Sequence, residues 1–148
     1  MLAEFQQALA DLTASPDLCN RARKNPAILF QDYDVTQREW RRLIAIVNHP
    51  GMQCACIVYR ANRLAPLLLN VNGLCKALGP ELRAVASDFW RDQPESNVHF
   101  FVEAERFCAY VQAELDRGRN LPASVPAVLT REWQAVAAAL EESHTEGK

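Results

Sequence analysis

"CACIVYRANRLAPLLLNVNGLCKALG", residues 54–79, decides how the rest of the chain is read. Taken as a helix it starts near Gln53, bends at Pro66, where the ring removes a backbone donor, and stops at Gly79. Its first part, CACIVYR, carries Ile57 and Val58 and also fits a strand by its β-branched content; periodicity does not separate the two. The stretch holds Arg60, Asn62, Arg63, Asn70 and Asn72 but no acid and no histidine. A helix that only filled a core has little use for those arginines, and an active site needs an acid, a base or an activated nucleophile. The composition therefore predicts a helix that faces a partner.

Downstream of it the spacing is helical throughout. Pro80 restarts a helix in which Leu82, Val85, Ala86 and Phe89 share a face and Trp90 borders it. "DQPESN", residues 92–97, is a loop whose Asn97 is placed to cap the next helix. Phe100, Ala104, Phe107, Cys108, Val111 and Leu115 form the stripe of that long helix, and Gly118 stops it. "NLPASVPAVL", residues 120–129, reads as a connector with two prolines. Thr130 then caps a last helix with Trp133, Val136, Ala137 and Leu140 inward, and "EESHTEGK" at the end frays.

Upstream, "YDVTQREWRRLIAIVN", residues 33–48, carries a reciprocal capping box at Thr36 and Glu39. Trp40, Leu43, Ile44 and Val47 come next at i, i+3, i+4 and i+7, and Arg38, Arg41 and Arg42 point the other way. "NHPG" at 48–51 breaks the chain. Before it lie a first helix with Leu2, Phe5, Leu9 and Leu12 on one stripe, ended by Ser15-Pro16, a short piece from Asp17, and "PAILFQDY" opening behind Asn25-Pro26. The sum is an all-α, single-domain bundle of about six helices with short Pro/Gly connectors. It comprises N-terminal helices over 1–50, a central helical part over 51–118, and a connector with the C-terminal helix over 119–148.

Size and composition narrow the function. The 148 residues are 49% hydrophobic, enough for a real core and against disorder. A net charge of -2 exerts no global pull on nucleic acid or anionic membrane. The opening residues lack the basic start and continuous apolar stretch of a signal peptide, and the run Leu64–Leu69 is too short to span a bilayer, so a cytoplasmic location is expected. Cys19, Cys54, Cys56, Cys75 and Cys108 have neither disulfide-framework nor zinc-site spacing and read as buried, reduced thiols.

No catalytic or metal-binding set emerges. His49 sits in a turn, His99 near a helix start and His144 in the tail. Glu103 and Glu105 face different ways, and Glu81, Asp88 and Asp92 read as surface acids. No phosphate loop or H-E-x-x-H occurs. What remains is an Arg/Asn set suited to carboxylates and peptide backbone: Tyr59, Arg60, Asn62 and Arg63, with Trp90 and Arg91 as a candidate contact edge. Arg60 has the alternative reading of a buried structural arginine paired with Glu105 or another acid. Arg38, Arg41 and Arg42 form a secondary basic face, solvated or able to hold an acidic peptide or phosphate.

Residues 57–111 carry a resemblance. Y-R-x-N at Tyr59, Arg60 and Asn62, the Leu78-Gly79 break, Phe89 with the Pro94 loop, and Glu105 with Phe107 resemble the helical partner proteins of multinuclear iron oxidases that modify ribosomally made peptides. Such systems include methanobactin synthesis and the 3-thiaglutamate pathway, and the short chain resembles most the form found in the latter. The resemblance implies an accessory subunit with no cofactor of its own. It implies a heterodimer with the iron-dependent oxidase, which holds the iron, and a grip on a precursor or carrier peptide whose end, a C-terminal cysteine in the 3-thiaglutamate case, is presented for oxidation. Sequences of this kind also carry the label of DNA-binding domain, so a small helical DNA-binding regulator using Arg38, Arg41 and Arg42 is the alternative; the acidic balance supports it poorly. A thiol enzyme working through Cys54 or Cys56 is a further rival.

Overall fold

The computed structural model describes the backbone from Leu2 to Glu146 and the side chains from Ala3 to Ser143. The side chains of Leu2 and His144 and the expectation of a frayed end therefore lie wholly or partly outside the described residues. The described chain is all-α: α1 (Leu2–Ala14), α2 (Pro16–Lys24), α3 (Ile28–Asp32), α4 (Gln37–Asn48), α5 (Pro50–Asn70), α6 (Asn72–Leu78), a 3-10 turn (Gly79–Glu81), α7 (Leu82–Asp92), α8 (Phe100–Asp116) and α9 (Val125–Glu146). The larger number of helices than expected comes from short pieces, of which α3 has 5 residues and α6 has 7. None of the described helices is long and apolar enough to cross a membrane.

The stretch CACIVYR is helical, inside the 21-residue α5. Pro66 does not end that helix; the break comes at Val71, whose φ of -134° and ψ of 47° leave the helical region. Asn70 and Asn72 explain the local polarity. Asn70 Nδ2 donates to the Pro66 carbonyl at 2.8 Å and Asn72 Nδ2 to the Leu68 carbonyl at 3.1 Å, so both amides satisfy carbonyls in the last turns of α5. Gly79, with φ of +51°, stops α6 in a conformation that a side chain would resist.

The residues divide into two compact units, one ending at Ala61 and the other beginning at Asn62, so the division falls within α5. In the first unit Leu12, Cys19, Leu29, Leu43, Val47, Met52 and Cys56 are among the buried core. The Thr36/Glu39 box closes as expected: Thr36 N–H donates to Glu39 Oε2 at 2.8 Å, and Glu39 N–H to Thr36 Oγ1 at 3.3 Å. Arg23 Nε donates to the Val47 carbonyl at 2.8 Å, placing a cation on the C-terminal turn of α4. Trp40 is half-buried, its ring against Phe30 and its Nε1 donating to the Pro26 carbonyl at 2.9 Å.

In the second unit Leu67, Val71, Leu74, Leu78, Val85, Phe89, Phe107, Val111, Val125 and Leu129 are among the buried core. α9 begins at Val125, earlier than the cap expected at Thr130; Pro126 is accommodated in the first turn, where its missing donor is no loss, and Thr130 Oγ1 donates back to its carbonyl at 3.0 Å. Ala137 is exposed, as is Phe100, so neither packs inward. Leu68 is also exposed, whereas Leu67 and Val71 are buried and Leu64 is partly so.

One contact in this unit is invisible as a sequence pattern. The Glu132 carboxylate of α9 accepts from the Gly73 N–H at 2.9 Å and the Leu74 N–H at 2.8 Å, capping α6 from another helix. A Cβ on Gly73 would run into Glu132 Oε1. The same carboxylate acts on the nearby thiols: burial first, then Glu132, pushes Cys75 up to about 11 and Cys108 up to about 12.

These contacts set two expected outcomes. Gly73→Ala displaces the carboxylate and destabilises by about 1.5–3 kcal/mol, the range for hydrogen bonds to a charged group. Glu132→Ala does the same, and the double variant is no worse than either alone; additive losses in urea unfolding would contradict the shared contact. Burial also raises Tyr110, ahead of Glu114, to about 12. These groups are neutral in the fold, while unfolded thiols and phenols ionise near about 8.5 and about 10. Stability is therefore intact below that range and falls as pH rises through it. A urea midpoint unchanged between pH 8 and pH 10.5 would contradict this.

Candidate functional site

α5 carries most of the expected contact residues, and its helical turn sorts them. In the first unit Cys54, Ile57, Val58 and Ala61 stand at i, i+3, i+4 and i+7 and are all exposed, Ile57 by 62% and Val58 by 58%. Four apolar or weakly polar side chains thus share an outward face. Tyr59 and Arg60 of the same helix are half-buried. In the second unit Asn62 is exposed, as are Leu68 and Leu69, the latter by 71%.

Arg63 goes inward. Its side chain is 3% exposed and pairs with Glu103 of α8, which is 1% exposed. Nε and Nη2 both donate to Glu103 Oε1, at 2.9 and 2.6 Å, and Nη1 donates to the carbonyls of Gln93 and Pro94, at 2.9 and 3.3 Å. Glu103 Oε2 accepts from the Asn97 N–H at 3.3 Å. The guanidinium lies 5.5 Å from the Phe89 ring centre and 6.0 Å from that of Trp90. One arginine thereby holds α5, the loop after α7 and the first turn of α8 in one arrangement.

This corrects two expectations. Arg63 is not a surface group and offers nothing to an incoming peptide. Trp90 is a core residue, 8% exposed, and not a contact edge. Glu103 is buried as well, and the pair it makes is with Arg63. Glu105 Oε1 accepts from Trp133 Nε1 at 3.3 Å. Arg63 stands four before Leu67 and eight before Val71, and Glu103 four before Phe107, so both charges lie on buried rows of their helices. A charge of each sign on two apolar stripes is the pattern that discloses such a pair.

Arg91 is exposed and bridges to Asp88 at 2.9 Å and Asp92 at 3.4 Å. Arg38, Arg41 and Arg42 are all exposed on α4. His49 Nδ1 accepts from the Gly51 N–H at 3.0 Å, a local turn contact, and His99 is the exposed N-cap residue of α8. Four of the five cysteines are buried and Cys54 is exposed. Among the described residues no three His, Cys, Asp or Glu side chains gather as a metal-binding group.

Removing one partner of the buried pair leaves the other charge uncompensated. Arg63→Ala or Glu103→Ala is expected to destabilise by about 3–5 kcal/mol, and the double variant Arg63→Met/Glu103→Leu by much less, because no buried charge remains. Chemical unfolding of the three variants checks it; a loss within about 0.5 kcal/mol for Arg63→Ala, as for an ordinary surface change, contradicts the role.

Comparison with known protein families, with characterised proteins and with solved structures finds no match to this chain.

Proposed function

We propose that this chain is an accessory subunit that docks on a multinuclear non-haem iron oxidase, grips a ribosomally made precursor or carrier peptide, and presents the peptide's end for oxidation. The observation that carries the reading is the outward row Cys54, Ile57, Val58 and Ala61 on α5, beside half-buried Tyr59 and Arg60. Large aliphatic side chains in a contiguous helical row, on a helix that also carries a tyrosine and an arginine, have the composition of a protein-contact patch. The row coincides with the start of the Y-R-x-N stretch on which the resemblance to oxidase partners rests. In this division of labour the iron and the oxygen chemistry belong to the partner chain. The present chain holds the peptide in reach, which converts a bimolecular encounter into a nearly intramolecular one.

A second reading uses the exposed Arg38, Arg41 and Arg42 as a nucleic-acid face. It predicts binding to duplex DNA that falls steeply with salt.

Co-expression with an iron oxidase and a short peptide encoded beside this chain is expected to yield a complex that co-purifies. Ile57→Glu/Val58→Glu, in which both substituted side chains are already solvent-facing, is expected to weaken association at least tenfold with unchanged helix content. If the subunit elutes alone while the oxidase is folded and iron-loaded, or if the double variant associates normally, the docking role is wrong. A salt-sensitive gel shift with duplex DNA, lost on replacing Arg38, Arg41 and Arg42, would establish the second reading in its place.

A further inference from the structure

Two of the buried thiols come from different helices and meet at one atom. Cys19 Sγ of α2 lies 3.0 Å, and Cys56 Sγ of α5 lies 3.5 Å, from the carbonyl oxygen of Leu12. Sharing that one oxygen at these distances keeps the two sulfurs near each other in the core. Both are buried in the core of the first unit. In the part of α5 that belongs to this unit, Met52 and Cys56 are the buried core residues, so Cys56 is one of two side chains that seat it.

We infer that Cys19 and Cys56 are the two halves of a reversible disulfide that fastens α5 to α2 when the surrounding thiol pool becomes oxidised. The oxidant is a low-molecular-weight disulfide such as glutathione disulfide. The thiolate of one cysteine attacks it, releasing one glutathione thiol and leaving a mixed disulfide; the other cysteine then displaces the second glutathione. One S–S bond breaks in the oxidant and one forms in the protein. The two thiol protons end on the two glutathiones, and the protein gives up two electrons. Reduction by excess glutathione runs the same steps backward.

The pair is guarded in the reduced state. Burial first, and then the neighbouring Cys56, pushes the Cys19 thiol up to about 12, so little thiolate exists at neutral pH while the core is closed. Attack therefore waits on local opening of α5 from the core, and the cross-link once made prevents that opening. Its consequence falls on the same helix, because Cys56 stands between Cys54 and the outward pair Ile57 and Val58. This inference stands on the first unit's core alone and holds whatever binds the outward face.

The test uses the full chain in glutathione buffers from fully reducing to fully oxidising, quenched in acid, alkylated and digested without reduction for mass mapping. The expected result is a linked peptide pair containing Cys19 and Cys56, reversed by excess reduced glutathione. At least a several-fold slower proteolytic cleavage within α5 should accompany the oxidised form. Cys19→Ser and Cys56→Ser each abolish the linked pair. The wild-type map decides even if either variant folds poorly. Two free thiols at Cys19 and Cys56 under fully oxidising buffer, a link between any other two cysteines, or glutathione attached at Cys54 with Cys19 and Cys56 unlinked would overturn it.

Discussion

The second unit is organised around a charge pair that water does not reach. Arg63 and Glu103 are both almost wholly buried, and isolating either ion from water is costly enough that only near-complete satisfaction makes the arrangement tolerable. The geometry supplies it. Four hydrogen bonds leave the guanidinium, two to one carboxylate oxygen and two to consecutive backbone carbonyls, and the second carboxylate oxygen takes a backbone N–H. Hydrophobic contacts alone would let the loop after α7 settle in several ways. A guanidinium with fixed donor directions accepts few of them. Phe89 and Trp90 close the site against solvent, which strengthens the attraction and makes a broken pair correspondingly expensive.

That commitment shapes α5. A 21-residue helix with only Arg60 and Arg63 as charges would be a poor surface helix, and one of those charges is consumed inside. The polar side chains at its C-terminal end do local work, since Asn70, its last residue, and Asn72, the first residue of α6, satisfy carbonyls in its last turns. The neighbouring α6 is too short to stand by propensity and is held by the Glu132 carboxylate at its first amides. The decisive residue at that junction is Gly73, which leaves room for the carboxylate.

Much of this is legible in the linear chain. Helical periodicity discloses the all-α class, Thr36 with Glu39 discloses a cap that closes as written, and Gly118, with φ of +84°, ends its helix where the pattern stops. Boundaries are harder. Pro66 and Pro126 both look like punctuation, yet each sits inside a helix; for Pro126, in the first turn of α9, the missing donor is no loss. The Glu132 cap joins residues far apart in sequence, and no spacing rule reaches it. The Arg63–Glu103 pair lies between these cases. Each residue falls on the buried row of its own helix, but recognising them as partners requires knowing that α5 and α8 meet.

The division between inward and outward charge also limits what α5 can do. With Arg63 and Trp90 spent on internal order, the outward large side chains of α5 in the first unit are Ile57 and Val58. The buried pair has a complementary effect on its own part of the helix. By fixing Arg63 it fixes the helical phase of Asn62, Leu68 and Leu69, since residues on one helix rotate together, and all three are exposed. Those side chains then project from a rigid backbone and not from one free to turn.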